Sequence, residues 1–341
     1  MSIKSTLKRS PLYPPLSRLN RLRRTAAAWP QTLQNRRAPK SIVLLYHRVT
    51  NLETDVEQLA VTPERFEAHL QFLKHQYRLL SLPEFVSHLR AGRYVPNSVL
   101  VTFDDGYRDN VTTAYPLLKK YSIPAAIFVA GSGPQTREWW WDELPHLLYQ
   151  PDDRPGTLRL TLDHEVTFTL KTDDDLAAAH ETISRFLKPA ALPERERVLN
   201  ALLEWRGWPR VIRPAYRQCL PEELQAMAAS GLVSIGGHTA THQQLSLLPL
   251  DSQADEMAKN VAYITDTIGE EPLAFAYPFG SKQDYNEASV LLTKKYFKAA
   301  FTTTRGQVTT RTDPCRIPRF VVKNWTIDEF REKIKTFFIK P

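Results

Sequence analysis

Several short runs of this chain are apolar from end to end. Ser41-Ile42-Val43-Leu44-Leu45-Tyr46, Ser98-Val99-Leu100-Val101-Thr102-Phe103 and Ala125-Ala126-Ile127-Phe128-Val129 are the clearest. A strand with one wet face alternates apolar and polar residues. A strand apolar throughout is buried on both faces, which points to a parallel sheet covered by helices. Helical patterns separate the runs. Thr62 is a cap, Pro63 takes the first helical position, and Phe66, Leu70 and Leu73 form an apolar face. A second helix opens at Leu82-Pro83 with Phe85, Val86 and Leu89 inward, and a third covers Asn110 to Tyr121, stopping before Pro124. The alternation resumes after residue 220, with helices over Pro221–Ala229, Asp251–Ile268, Glu287–Tyr296 and Ile327–Phe338. Strands are expected at Val233–Ile235, Ala274–Tyr277, Ala299–Thr302 and Arg316–Phe320. This order predicts an α/β fold built on a parallel sheet or barrel.

Residues from about 132 to 220 break the pattern. Leu158 to Leu170 alternates around Asp163-His164-Glu165, which predicts an antiparallel hairpin, and helical patterns follow over Asp174–Leu187 and Glu194–Trp205. This stretch reads as a mixed hairpin and helical insertion in one large domain over residues 41–341. At 341 residues, 42% hydrophobic and 24% charged, the chain can bury a core of that size.

The net charge of +8 is a property of one end. Residues 1–40 hold ten of the 45 Lys and Arg and no Asp or Glu, leaving 35 basic against 37 acidic residues elsewhere. The body is near neutral, so nucleic acid is not an expected partner. The leader interleaves Arg18, Arg21, Arg23, Arg24, Arg36 and Arg37 with Leu12, Leu16, Leu19, Leu22 and Trp29. Such a segment is expected to be a flexible tail, with peripheral contact to an anionic membrane as its alternative role. No signal-peptide core follows the charges, and no run of 18 apolar residues is present, so a cytoplasmic protein is expected, at most peripheral to the inner face of a membrane. Cys219 and Cys315 are too few for a disulfide framework and are expected to be reduced thiols.

Two segments carry chemistry. Thr102-Phe103-Asp104-Asp105-Gly106-Tyr107 places adjacent carboxylates at the end of a buried strand. His238-Thr239-Ala240-Thr241-His242 places two imidazoles four residues apart, a spacing that puts both on one face of a helical turn. Two His and one carboxylate make a hydrolytic metal site with an open position, and the second carboxylate is free to act as general base. Either motif alone is commonplace, a solvated turn or a helix face. Together, each at the end of an apolar strand, they predict a metal-dependent hydrolase. His69, His75, His88, His146, His164 and His180 lie in helices or the insertion and read as structural.

In this order the motifs resemble the polysaccharide deacetylase family (the NodB-homology domain, carbohydrate esterase family 4), over roughly residues 41–131 and 221–322. Thr102-Phe103-Asp104-Asp105-Gly106 matches its first motif and His238-Thr239-Ala240-Thr241-His242 its second; Ala276-Tyr277-Pro278-Phe279-Gly280 is a variant of the third. The resemblance implies a distorted (β/α)7-type barrel and one divalent ion, most often Zn2+, held by Asp105, His238 and His242. It makes Asp104 the base and puts Phe279 where a backbone N–H holds the oxyanion. It also implies substrate contacts from Tyr107, Tyr277 and Pro278. The family's usual acid, a His near the C-terminus, is missing. His47, after the first apolar strand, has the required form, as in circularly permuted members, and becomes the catalytic acid. Ala276 stands where the family has an Arg that orients the base; Arg316 or Arg319 is expected to replace it.

Trp139-Trp140-Trp141-Asp142-Glu143 opens the insertion. Core packing explains such a run. Trp140 and Trp141 would alternatively wall a substrate groove, with Asp142 or Glu143 bonding sugar hydroxyls. The activity implied is removal of N-acetyl groups from amino sugars of a surface polysaccharide or its lipid-linked precursor, so the partner is an N-acetylated glycan or glycolipid. Removal of another acyl group such as formyl uses the same chemistry. A non-catalytic glycan-binding module on the same fold is the remaining alternative, disfavoured because both Asp and both His are intact.

Overall fold

The computed structural model describes residues 40–339 apart from Tyr94, Pro134, Asp152 and Asp153. The expected basic leader, save Lys40, lies outside the described residues. In chain order the elements are β1 (Ser41–Tyr46), β2 (Arg48–Val49), β3 (Ala60–Val61), α1 (Pro63–Gln76), β4 (Arg78–Leu79), α2 (Leu82–Arg90), β5 (Ser98–Phe103), a π-helical turn at Asn110–Ala114 leading into α3 (Tyr115–Tyr121), and β6 (Ala125–Val129). The insertion follows: α4 (Trp140–Tyr149), β7 (Thr157–Thr161), β8 (Glu165–Thr169), α5 (Asp173–Leu187) and α6 (Leu192–Arg206). The chain then forms α7 (Pro221–Ala229), β9 (Val233–Gly237), α8 (Leu250–Ile268), β10 (Ala274–Ala276), α9 (Glu287–Tyr296), β11 (Ala299–Phe301), β12 (Phe320–Val321) and α10 (Ile327–Ile339).

The main sheet runs in the order β11-β10-β9-β6-β5-β1-β12, with every pair parallel. A parallel bridge between Phe301 and Ile317 brings the segment before β12 against β11, so the two ends of the path approach. The result is a distorted (β/α)7-type barrel. Only Phe320 and Val321 of the expected Arg316–Phe320 strand region pair regularly, because the chain crosses from one end of the path to the other there.

Side chains alternate across each strand. Val43, Leu100, Ala126, Phe128, Ala276 and Phe301 form one cluster, joined by Phe85 and Leu89 of α2. Their neighbours Ile42, Leu44, Val99, Val101 and Ile127 pack against Phe66, Leu70, Met227, Ile264 and Phe330 of the helices. Burying each of these larger side chains is worth about 1.5–3 kcal/mol. The insertion has a separate core of Trp140, Trp141, Leu144, Leu158, Ile183 and Leu202. Its hairpin buries alternate residues on β7, as the sequence predicts. Cys219 and Cys315 are both buried free thiols.

Candidate active site

In a parallel barrel all strands deliver their C-terminal ends to one rim. At the end of β5 the Asp104 N–H still donates to the Tyr46 carbonyl, 3.1 Å away. Asp105 then enters the left-handed region at φ +72°, followed by Gly106 at +66°. Non-glycine residues seldom adopt that conformation. Here the turn lets two consecutive carboxylates serve one site instead of opposite faces of a strand. A Cβ on Gly106 would meet the Val129 side chain at 3.1 Å.

His238 and His242 follow β9, but the expected helical turn is absent. Residues 238–242 form an irregular loop, with Thr239 at φ +65° and His242 at +53°. The loop takes its shape from α8. Glu256 accepts hydrogen bonds from the Thr241 N–H (2.9 Å) and Oγ1 (2.7 Å). Asn260 Oδ1 accepts from the His238 N–H at 2.9 Å, and its Nδ2 donates to the carbonyls of Val129 and Gly131. Gly237 permits this approach, since a Cβ there would lie 2.8 Å from Asn260 Oδ1.

The loop and the turn bring Asp105, His238 and His242 together. Both imidazole Nε2 atoms lie 3.4 Å from Asp105 Oδ1, and all three groups are buried. One donor atom from each lies within 4.8 Å of the others. The His238 Nδ1–H donates to the Ala276 carbonyl at 2.7 Å, which turns Nε2 towards Asp105. Burial would lower the His238 pKa, but Asp104 and Asp105 outweigh it and raise it. His242 Nδ1 is buried without a hydrogen-bond partner among the described residues. Burial pushes the His242 pKa down to about 4 against the pull of Asp105, so its ring is neutral, the form that binds metal. Burial would raise the Asp105 pKa, but its bonds to His238 and His242 outweigh that and hold it far below the carboxylate range. Two imidazole nitrogens and one carboxylate fit a zinc-type ion, whose binding would release the proton that Asp104 and Asp105 favour on His238.

Asp104 faces a different partner. Its two oxygens each accept a 2.7 Å bond from Arg319, a fully buried guanidinium whose Nε donates to the Thr302 carbonyl. Burial favours a neutral Asp104, but Arg319, with His238 and His47, overcomes it and lowers the carboxyl pKa. The chain before β12 thus supplies the arginine that Ala276 does not. Arg316 does not reach the site: it pairs with Glu287 and Asp313 near the surface.

Asp104, Asp105, His238 and His242 line one cavity of about 730 Å³, together with His47, Phe279, Trp140 and Trp141. Burial lowers the His47 pKa while Asp105 and Asp104 oppose the shift. Phe279 sits at φ +59°, its carbonyl held by Thr303 Oγ1 at 2.7 Å, and no hydrogen bond among the described residues uses its N–H. Trp140 and Trp141 are both core of the insertion and wall of the cavity; the Trp141 ring lies 4.6 Å from that of His242.

Four expected substrate contacts lie elsewhere. Tyr277 is wholly buried, stacked on Tyr285 at 4.2 Å with its hydroxyl donating to the Cys315 carbonyl. Pro278 is buried beside it. Both sit where the chain leaves β10, below the Phe279 turn that does reach the cavity. Tyr107 is a support: its hydroxyl accepts from Trp141 Nε1 (2.8 Å) and donates to Asp142 Oδ2 (2.6 Å). Asp142 lines an adjacent cavity, because α4 turns it away from the metal-site wall.

Sequence reading missed Asn260, Glu256 and Arg195. Arg195, on α6, is buried and donates to the carbonyls of Leu187 (2.9 Å), Lys188 (2.8 Å) and His242 (3.2 Å). Burial, opposed by Glu256, lowers its pKa to about 10. The only hint in the sequence was polar residues at helix positions otherwise expected to face inward.

Comparison with known proteins places the chain. The family model for polysaccharide deacetylase matches residues 91–299. A poly-β-1,6-N-acetyl-D-glucosamine N-deacetylase of Staphylococcus epidermidis is 31% identical over 102 residues, 26% of this chain and 35% of that protein. The Bacillus subtilis protein YxkH, named by assignment to the polysaccharide deacetylases, is 36% identical over 107 residues, 31% of this chain and 36% of its own length. The matches thus span about a third of the length of these relatives. Among solved structures, the Streptococcus pyogenes deacetylase PplD in complex with acetate aligns with a TM-score of 0.56 at 18% identity, over 89% of this chain and all of that one. IcaB from Ammonifex degensii aligns at 0.57 and 19%, over 88% and 98%. At such identities these two share the fold. With the family model covering more than half of the sequence, the chain belongs to the polysaccharide deacetylase family.

Proposed function

We propose that this protein is a metal-dependent N-deacetylase that removes acetyl groups from N-acetylated amino sugars of a glycan. One observation carries the reading: Asp105, His238 and His242 converge beside an Asp104 carboxylate clamped by Arg319, in a single cavity. The name of the staphylococcal relative supports an N-acetylglucosamine polymer as the substrate class.

Asp105, His238 and His242 would hold the ion. A zinc-type ion bound there would polarise the acyl oxygen and acidify water. The remaining roles fall to the chain itself. Asp104, kept ionised by Arg319, retains lone pairs outside the bidentate bond and takes a proton from the attacking water. The Phe279 N–H donates to the oxyanion that develops on the acyl oxygen. His47, across the cavity, gives a proton to the departing nitrogen as the C–N bond breaks, releasing acetate and a free amine. A His just after the first strand in place of a C-terminal one is consistent with a circularly permuted arrangement of the family motifs.

The test is acetate release from N-acetylglucosamine oligomers by zinc-loaded protein. Asp104→Asn should still bind zinc but lose activity by a factor on the order of 10² or more. Wild-type rate in that variant, in the chelated protein, or no acetate from any oligomer would refute the reading.

A further inference from the structure

The oxyanion donor of the proposed reaction sits in a strained turn. The Gly280 N–H donates to the Pro278 carbonyl at 2.6 Å, and the residue between them, Phe279, has φ +59°. A three-residue turn with its central residue left-handed is rare for a residue other than glycine. Relaxing that φ to a negative value would turn the Pro278–Phe279 peptide over and carry the Phe279 N–H with it. Such a conformation persists only where its surroundings over-determine it. The contacts that hold Phe279 are therefore the contacts that aim its N–H.

The barrel supplies some of them. Thr303 Oγ1 donates to the Phe279 carbonyl at 2.7 Å, and the Thr303 N–H donates to the Gly280 carbonyl at 2.9 Å. The Phe279 ring, by contrast, packs on the core of the insertion. His242 lies edge-on to it at 4.7 Å. Lys188, at the C-terminal cap of α5, places its Nζ 4.6 Å from the ring centre. An ammonium at that distance is attracted to the face of the ring.

Lys188 grips the same turn a second time. Its Nζ is 3.0 Å from Oδ1 of Asp284, a carboxylate almost wholly buried. Asp284 Oδ2 accepts from the Ser281 N–H at 2.8 Å, and the Asp284 N–H donates to the Ser281 carbonyl at 3.0 Å. The carboxylate thus fixes the chain directly after Gly280. Its Oδ1 makes no aligned hydrogen bond, and no other cation pairs with it among the described residues. The Lys188 charge is what offsets its burial.

Building on the deacetylase reading, we propose that Lys188 is a positioning residue for the oxyanion donor: through the Phe279 ring and Asp284 it keeps the turn in the form that presents the Phe279 N–H to the reacting acyl group. The insertion then serves the chemistry as a brace, not only as a wall of the cavity.

The test combines two measurements on zinc-loaded protein. One is the steady-state kinetics of acetate release from an N-acetylglucosamine pentamer. The other is calorimetry with a methylphosphonamidate analogue of the sugar, whose tetrahedral anion mimics the transition state. Lys188→Met keeps the stem and removes the charge. It should lower kcat by about tenfold or more and change KM by less than about threefold, because the oxyanion contact forms only in the transition state. The analogue should weaken by about the same factor as kcat, with zinc affinity unchanged. Lys188→Arg keeps both the charge and the ring contact and should stay within about threefold of wild type. Lys188→Met combined with Asp284→Asn leaves no carboxylate buried alone, so it should regain the wild-type urea midpoint and still show the kcat loss. Full kcat and analogue affinity in Lys188→Met, an equal loss in Lys188→Arg, or recovery of kcat together with stability in the double variant would overturn the role of Lys188 and leave the deacetylase reading standing. No acetate from the unmodified protein would refute that reading and take the role with it.

Discussion

Arg319 holds both oxygens of Asp104, and the geometry of that grip separates two substitutions. Arg319→Lys keeps the charge and loses the fork, so the carboxylate can rotate. Activity should fall at least tenfold while the protein stays folded. Arg319→Met leaves a buried carboxylate with no counter-charge, and removing one partner of a buried pair costs about 3–5 kcal/mol. Urea midpoints should therefore drop far more for Met than for Lys; equal midpoints would mean that the pair is not buried in solution. The choice between Arg316 and Arg319 was not legible in the sequence. They are three residues apart in a segment that follows neither helix nor strand periodicity, so no pattern says which one turns inward. Asp104, Asp105 and the two His were legible because each follows a run whose burial fixes where it ends.

The elements were legible for the same reason, and α9 spans the expected Glu287–Tyr296. The metal-binding loop was not. A four-residue His spacing looks helical, but Thr239 and His242 are left-handed, a conformation imposed by contacts distant in sequence. Those contacts come from α8 and from the insertion. His238 has the Ala276 carbonyl to orient its ring, whereas His242 Nδ1 has no such partner among the described residues. Its position rests on Arg195 at its carbonyl and on the Trp141 ring. Outer-shell partners of a ligand typically govern 10–100-fold in metal affinity. Arg195→Met should accordingly weaken zinc binding to the apoprotein by about that factor, with a changed Co2+ absorption spectrum. Unaltered zinc affinity would show that α6 does not position His242.

At the scale of the molecule, the first and last of the described helices meet at a histidine. His69 of α1 stacks on Phe330 of α10 at 3.8 Å, and its Nε2 lies 3.0 Å from the Trp325 carbonyl. Burial, only partly offset by that carbonyl, lowers its pKa to about 4. The unfolded chain takes up this proton near pH 6.5 and the folded one near 4, so the unfolded state binds more protons between those values. The contribution is fully present above about pH 6.5 and lost as pH falls to about 4, on the order of 3 kcal/mol in all. Thermal scans across that window should show a falling midpoint, with a shallower slope in His69→Phe. An identical slope would remove His69 as the cause.

That closing contact is part of a larger arrangement. β1 lies between β5 and β12, so the earliest strand of the barrel waits for the latest. Domains assemble largely as their chain emerges during synthesis. Throughout translation of residues 105 to 318, Asp104 exists without the guanidinium that makes its burial tolerable. A chain that stops before Arg319 lacks both the guanidinium on Asp104 and the strand that pairs with the open edge of β1, so the last two dozen residues complete the base and the barrel in one step.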